Sequence, residues 1–114
     1  MEENEARLPA ALWIDAHLRR LAQEGIPYYI VNTGAYAAGT VMLKLNGLEK
    51  ICRVLVQQRD LNGKLGWMNA LKDETPDEKQ ADEYIRRAIS RDPDVWVIEI
   101  EDRQMRNPFE GAVI

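Results

Sequence analysis

Hydrophobic residues recur at helical spacing near the start of the chain, which predicts a first helix from about Pro9 to Glu24. Proline suits the first turn of a helix, because the N–H that it lacks would have no partner there. Gly25 ends the helix, since glycine adopts the left-handed conformation at low cost. The apolar stripe consists of Ala10, Ala11, Ile14, Leu18 and Leu21.

The segment "TPDEKQADEYIRRAIS" predicts a second helix. Thr75 is its predicted N-cap, Pro76 its first helical residue, and Glu78 the partner in a capping box. Pro93 prevents the helix from continuing. The apolar stripe consists of Ala81, Tyr84, Ile85, Ala88 and Ile89.

Five further segments are rich in β-branched and aromatic residues, which predicts strands. They read "IPYYIVNT", "TVMLKL", "KICRVLVQQ", "LGWMNAL" and "VWVIEIE". The resulting order, α-β-β-β-β-α-β, predicts an α+β fold with two layers, in which both helices cover one face of a largely antiparallel sheet. Strands two to four are expected to form a meander. We expect a single domain over residues 1–114, with a core from about 7 to 103 and a tail from 104 to 114.

The stretch "RDLNGKLGW" could be a phosphate-binding loop, a catalytic Arg59-Asp60 pair or a turn. Asn62-Gly63 favours a tight hairpin, because both residues tolerate positive φ. A phosphate loop would lead into a helix, whereas a strand is predicted to follow. The hairpin interpretation pairs Arg59 with Gly66.

A second hairpin is predicted at Asn46-Gly47, and it would pair Val41 with Cys52. Together the two registers assign the strand residues to two faces. The predicted core face carries Val41, Leu43, Leu45, Cys52, Val54, Val56 and Trp67. The opposite face carries Met42, Ile51, Leu55, Met68 and Ala70 among Lys44, Arg53, Gln57 and Arg59.

The second of these faces is too apolar to be fully solvated, which predicts that something covers it. One alternative is an interface with a second subunit, formed by Met42, Ile51, Leu55 and Met68. The other is the tail of the same chain, acting through Phe109, Val113 and Ile114.

The composition excludes several kinds of protein. The chain has 114 residues and is 46% hydrophobic and 30% charged, which predicts a globular protein. Its net charge is -4 and its pI is near 5.0, so we expect no nucleic-acid or membrane partner. A single cysteine and a single histidine leave neither a disulfide nor a Cys/His zinc site. No apolar run is long enough to span a bilayer, and a cytoplasmic location is expected.

An acidic cluster in the last strand is the main candidate for chemistry. Glu99, Glu101 and Asp102 could hold a divalent metal, which prefers several oxygen ligands. The alternative is pairing of these acids with Arg53 or Arg59 on a neighbouring strand. The order of elements also occurs in metal-dependent nucleases, but the predicted strands lack the acidic and Glu-x-Lys ligands of such enzymes. We therefore expect no metal site.

His17 and Cys52 are the remaining reactive side chains considered. No partner for His17 is placed by its spacing, so a packed or surface histidine is expected. Cys52 alternates with core valines and is expected to be buried and unreactive. No catalytic residue and no cofactor are predicted; Arg53, Arg59, Glu99, Glu101 and Asp102 stay candidates for binding.

Four blocks along the chain resemble a bacterial family known as domain of unknown function fourteen-ninety-one. The blocks are "RLPAALWIDAHLRRLAQEGIP", "AGTVMLKLN", "RDLNGKLGW" and "DPDVWVIEIED", and they extend from about Arg7 to Arg103. The resemblance implies a compact α+β domain. It implies no activity, and no catalytic residue is carried over from it.

These observations favour a small non-enzymatic protein that acts by binding, as a homo-oligomer and most simply as a dimer. The alternative function is a metal-dependent enzyme, acting on nucleic acid, that uses the acidic cluster of the last strand. The partner of a binding protein is not specified by the sequence.

Overall fold

The computed structural model describes residues 8–113, and within them it contains two helices and six strands. The helices are α1 (Ala10–Gln23) and α2 (Glu78–Arg91). The strands are β1 (Tyr28–Asn32), β2 (Val41–Asn46), β3 (Cys52–Arg59), β4 (Leu65–Asn69), β5 (Trp96–Glu101) and β6 (Ala112–Val113). The α+β class and the predicted helices and strands are confirmed; β6 was not predicted.

All the strands belong to one sheet with the order β1-β5-β2-β3-β4-β6. The predicted antiparallel meander of β2, β3 and β4 is confirmed. The prediction of a largely antiparallel sheet is wrong, because β5 lies parallel to β2 and β6 lies parallel to β4. After α2, the chain inserts β5 between β1 and β2, so β5 is the second strand of the sheet.

The helices lie on opposite faces of the sheet, so the prediction of two layers with both helices on one face is wrong. On one face, α1 packs through Ile14, Leu18 and Leu21. On the other, α2 packs through Ala81, Ile85 and Ala88. The burial of β2 agrees with this arrangement, because five successive residues of the strand are buried, as is typical of a strand covered on both sides.

The pairing of β2 with β3 differs from the prediction. Met42 pairs with Val56, whereas the predicted register paired Val41 with Cys52. The connection is longer than a tight Asn-Gly turn and spans residues 47–51. Because the shift is an odd number of residues, every side chain of β3 lies on the face opposite to the predicted one. Cys52, Val54 and Val56 therefore face α2 with Met42, and Leu55 faces α1.

The hairpin predicted in "RDLNGKLGW" is confirmed between β3 and β4, with Arg59 paired to Leu65 rather than to Gly66. The loop is longer than a two-residue turn. Asp60 closes it, since its Oδ1 accepts hydrogen bonds of 2.9 Å from the backbone N–H groups of Asn62 and Lys64. The segment is a turn and not a phosphate-binding loop.

Helix α2 begins two residues later than predicted. Its N-cap is Asp77, whose side chain accepts a hydrogen bond from the Gln80 N–H, while the Gln80 side chain accepts one from the Asp77 N–H. The prediction of Thr75 as N-cap is wrong. A carboxylate at this position satisfies the same orphan N–H groups and adds a favourable interaction with the helix dipole.

The C-terminal tail packs on the α1 side of the sheet. Phe109 is only 3% exposed and lies in the same hydrophobic cluster as Leu55 and Trp67. The indole N–H of Trp67 donates a 2.9 Å hydrogen bond to the Glu110 carbonyl, and β6 pairs with β4. Of the face that the tail was predicted to cover, Phe109 shares a cluster with Leu55, whereas Met42 lies on the α2 side of the sheet. Val113 is 37% exposed, and Ile114 lies outside the described residues.

Candidate functional site

The three acids at the end of β5, which are Glu99, Glu101 and Asp102, do not converge on one point. Glu99 faces α2, where the Asn46 amide donates a 2.9 Å hydrogen bond to its Oε2. Asp102 instead accepts hydrogen bonds of 3.0 and 2.9 Å from the Arg106 guanidinium, which lowers the pKa of the carboxyl group. Within residues 8–113, no group of three or more His, Cys, Asp or Glu side chains is arranged to hold a metal ion.

Lys44 occupies the space beside Glu99. Its Nζ lies 2.7 Å from Asp82 Oδ1, 2.9 Å from Glu78 Oε2 and 3.5 Å from Glu99 Oε1, although the residue is only 3% exposed. Burial disfavours the ammonium form, but the hydrogen bonds to Asp82 and Glu78 and the charge of Glu99 outweigh it. The pKa of Lys44 therefore lies above its usual value.

This cation does not have the properties of a nucleophile or a base, both of which need a neutral amine. It connects the middle of the sheet to the first turns of α2. The sequence contained no signal for the cluster: Lys44 is 34 and 38 positions away from Glu78 and Asp82, and the predicted register placed it opposite Glu49 instead.

Arg53 and Arg59 do not pair with Glu99 or Glu101, because β2 lies between β3 and β5. The Arg53 Nε instead donates to Asn69 Oδ1 at 3.4 Å. The Arg59 Nη1 donates to the Gly63 carbonyl at 2.8 Å, across the hairpin loop. The cross-strand pairing considered for the acids is therefore wrong.

His17 lies within an aromatic cluster that holds the tail. Its ring stacks on Phe109 with centroids 4.7 Å apart and an interplanar angle of 10°, and it lies 4.4 Å from the ring of Trp13. Its Nδ1 is 2.9 Å from the Trp13 carbonyl, so Nδ1 carries the proton that is donated there. The expectation of a packed histidine is confirmed.

Cys52 is fully buried on the α2 side of the sheet. Burial raises the pKa of its thiol to about 11. The expectation that Cys52 is buried is confirmed. The raised pKa disfavours the thiolate, which is the reactive form.

The four residues of the predicted subunit interface do not share a face. Met42 and Leu55 are buried on opposite sides of the sheet, 4% and 0% exposed. Ile51 and Met68 are 39% and 40% exposed, but no continuous apolar patch joins them to the other two. The wrong register of β3 is the cause of this error.

A different apolar surface is exposed at the edge of the sheet. Within residues 8–113, strand β1 has β5 as its one neighbour, and its other backbone edge is unpaired. Tyr29, Ile30 and Val31 are 60%, 47% and 44% exposed. The sequence is consistent with this exposed surface, since the segment 26–33, "IPYYIVNT", contains no charged residue. Charged residues commonly protect edge strands from pairing.

Residues 8–113 form surface cavities at both ends of α1. The first, of about 240 Å³, lies between the N-terminal end of α1, the loop 37–39 and the end of β3, and Arg59 and Gln57 form part of its wall. The second, of about 420 Å³, lies at the C-terminal end of α1. Its two arginines are engaged, since Arg106 binds Asp102 and Arg20 donates to the Pro108 carbonyl.

Within residues 8–113, no helix is long and apolar enough to cross a membrane.

Comparison with known proteins gives one family and several solved structures. A crystal structure of a DUF1491 family protein from Caulobacter crescentus CB15 is 30% identical and covers 95% of this chain and 100% of its own, with a TM-score of 0.84. An NMR structure of a DUF1491 family protein from the same organism is also 30% identical, with a TM-score of 0.79, and covers 94% of this chain and 96% of its own.

A third structure, the solution structure of protein Atu0922 from A. tumefaciens, is similar in fold. It is 19% identical, covers 84% of this chain and 86% of its own, and has a TM-score of 0.68. No curated protein matches the chain. The family model described as "Protein of unknown function (DUF1491)" matches residues 8–110, so the chain belongs to the DUF1491 family, in agreement with the resemblance in its sequence.

Proposed function

We propose that this protein is a non-enzymatic, cytoplasmic binding protein that acts as a homodimer, and that the dimer forms by pairing of the two β1 edges. The open edge carries this proposal. An edge strand exposes unpaired N–H and C=O groups, which are a template for a further strand. In β1, these groups lie beside the exposed apolar side chains of Tyr29, Ile30 and Val31. A reducing compartment suits the single free thiol of Cys52.

The charge distribution favours a second copy of the chain as the partner. Two copies that each carry a net charge of -4 repel one another at most contacts. The segment 26–33 has no charge and avoids this repulsion. Antiparallel pairing of β1 with itself also fits two-fold symmetry, which is the commonest form of a homodimer.

The existing ladder defines a register for this pairing. The Glu101 N–H donates a 3.1 Å hydrogen bond to the Pro27 carbonyl, and Tyr28 pairs with Ile100. Because backbone groups alternate in direction along an antiparallel strand, those of Tyr28 and Ile30 point to the open edge. Placing Ile30 at the two-fold axis sets it opposite its own copy and sets Tyr29 opposite Val31.

Sedimentation at micromolar concentration tests the proposal. We expect wild type to be a dimer and Ile30→Lys to be a folded monomer, since the lysine would place like charges at the axis. Met68→Lys is the matched control, because Met68 is 40% exposed on β4, away from β1, and this variant is expected to stay dimeric. A monomeric wild type, or a dimeric Ile30→Lys, would overturn the β1 interface.

A disulfide tests the register. The Cα atoms of directly opposed hydrogen-bonded residues lie roughly 5.5 Å apart, within the range that a disulfide spans. We expect mild oxidation to convert Ile30→Cys into a covalent dimer and to leave Met68→Cys monomeric under denaturing conditions. Equal crosslinking of the two variants would contradict the register. The native Cys52 is fully buried and does not compete for oxidation.

A further inference from the structure

The smaller surface cavity has a fixed, apolar interior. Val41, which is only 1% exposed, and Trp13 line it together with small residues of the loop 37–39. This loop is attached to the first turn of α1, because the Ala10 and Ala11 N–H groups donate to the carbonyls of Ala37 and Tyr36 at 3.2 and 2.9 Å. Backbone hydrogen bonds therefore hold together the two segments that form one side of the cavity, and we infer that the cavity is preformed.

Gly39 fixes the loop on its other side. Its φ is 135°, and a Cβ at this position would lie 2.7 Å from the Asp94 carbonyl oxygen. A larger residue would displace the loop from the sheet. Because glycine has no side chain, the backbone at Gly39 can lie close to Asp94, just before β5.

One wall of the cavity is polar and positively charged. It is formed by Gln57 and Arg59, and none of the lining residues within 8–113 is acidic. Among the described residues, this wall is locally positive, although the chain has a net charge of -4. The hydrogen bond from Arg59 Nη1 to the Gly63 carbonyl holds the guanidinium in place and uses one of its five N–H donors.

We propose that this cavity binds a small monocarboxylate with an apolar body. The planar guanidinium of Arg59 matches a carboxylate in geometry and charge, and the Gln57 amide supplies a further donor. Val41 and Trp13 contact the apolar body. The volume of about 240 Å³ is below the roughly 300 to 1,000 Å³ of sites for drug-sized ligands, which indicates a metabolite-sized molecule.

Benzoate is a suitable probe, with benzamide as its uncharged counterpart of the same shape. In a ¹H–¹⁵N titration at millimolar concentration, we expect benzoate to shift the Trp13 indole and the amides of Ala37 and Gly39, and benzamide to bind more weakly. Inorganic phosphate tests whether charge alone is recognised, and it is expected to leave the Trp13 indole unshifted.

Arg59→Gln is expected to weaken benzoate binding about tenfold or more, since a charge-assisted pair is lost. Arg53→Gln is the control: Arg53 is on the same strand and the same face, but it does not line the cavity. Equal binding of benzoate and benzamide, unchanged affinity of Arg59→Gln, or no shift at these three residues would overturn the carboxylate site.

The two proposals fail independently. The cavity contains no residue of β1, so Ile30→Lys is expected to bind benzoate as wild type does. Arg59→Gln is likewise expected to sediment as wild type does. A monomeric protein that still binds benzoate would overturn the dimer alone.

Discussion

The ammonium of Lys44 lies 2.7 Å from the carboxylate of Asp82, which joins the middle of the sheet to helix α2. Glu78 and Glu99 also approach this ammonium, so a buried cation is surrounded by three carboxylates. Breaking a buried ion pair leaves uncompensated charge, which costs more than the intact pair contributes. The cluster therefore helps to hold α2 in position, in addition to the apolar contacts of Ala81, Ile85 and Ala88.

Lys44→Met is expected to destabilise the protein by about 2 kcal/mol, discounted from the roughly 3–5 kcal/mol of fully buried pairs because Glu78 and Asp82 are half exposed. Denaturant unfolding measures the change. Lys64→Met, in the exposed β3–β4 loop, is the control and should match wild type. Adding Glu99→Gln to Lys44→Met should recover part of the loss, since it removes the most buried of the unpaired carboxylates. A double variant no more stable than Lys44→Met would contradict this account.

The pH dependence of this contribution follows from the raised pKa of Lys44. The folded-state pKa lies above the unfolded value of about 10.4, so the stabilisation is fully present below about pH 10 and is lost as pH rises through the folded pKa. Stability measured between pH 8 and pH 11 should therefore fall more steeply in wild type than in Lys44→Met. Parallel curves would show that Lys44 is not stabilised as a cation.

Asp102 is expected to act at the acidic end of the pH range. Its hydrogen bonds to Arg106 lower its folded pKa, so its contribution is present above the unfolded value of about 3.9 and is lost as pH falls through the folded pKa. Asp102→Asn should flatten the loss of stability below about pH 4. Asp60→Asn is a useful comparison. The Asp60 Oδ1 also accepts hydrogen bonds within a loop, but from the backbone N–H groups of Asn62 and Lys64 and not from a guanidinium.

The N-cap of α2 is Asp77 in the structure, whereas the sequence pattern predicts Thr75. Asp77→Ala should reduce the free energy of unfolding by about 1 kcal/mol, because the capping box with Gln80 is lost. Thr75→Ala should have little effect, since Thr75 lies outside that box. Both variants can be compared by urea denaturation midpoints. A larger loss of stability in Thr75→Ala than in Asp77→Ala would indicate that Thr75 is the N-cap.

Phe109 should be the main attachment of the tail. Phe109→Ala is expected to destabilise the protein by about 3 kcal/mol, the usual cost of removing a buried aromatic ring. Val113→Ala, at a 37% exposed position of the same tail, should cost much less. Thermal unfolding monitored by tryptophan fluorescence suits this test, because Phe109 contacts the cluster that contains Trp13 and Trp67. Similar midpoints for the two variants would place Phe109 outside the core in solution.

Several features could be predicted from the sequence because they depend on neighbouring residues. The stripe ending at Leu21, followed by Gly25, defines α1 to within one residue at each end. The Asn-Gly of "RDLNGKLGW" defines the β3–β4 hairpin, and the four family blocks identify the family. Periodicity and turn chemistry act over a few residues, which is why they can be recognised in a single chain.

The sequence by itself thus determined the helices, most of the strands and one hairpin, and tertiary structure decided how they are arranged. The insertion of β5 beside β2 joins Val41 to Trp96, across 55 positions of the chain, and no local pattern specifies that pairing. The same strand order keeps Arg53 apart from Glu99 and gives Lys44 one of its three carboxylates, Glu99. Within residues 8–113, this strand order also leaves β1 at the edge of the sheet, because β1 pairs with β5 alone. Strand order depends on the total burial and hydrogen bonding of the folded sheet, which are properties of the whole chain and not of any segment.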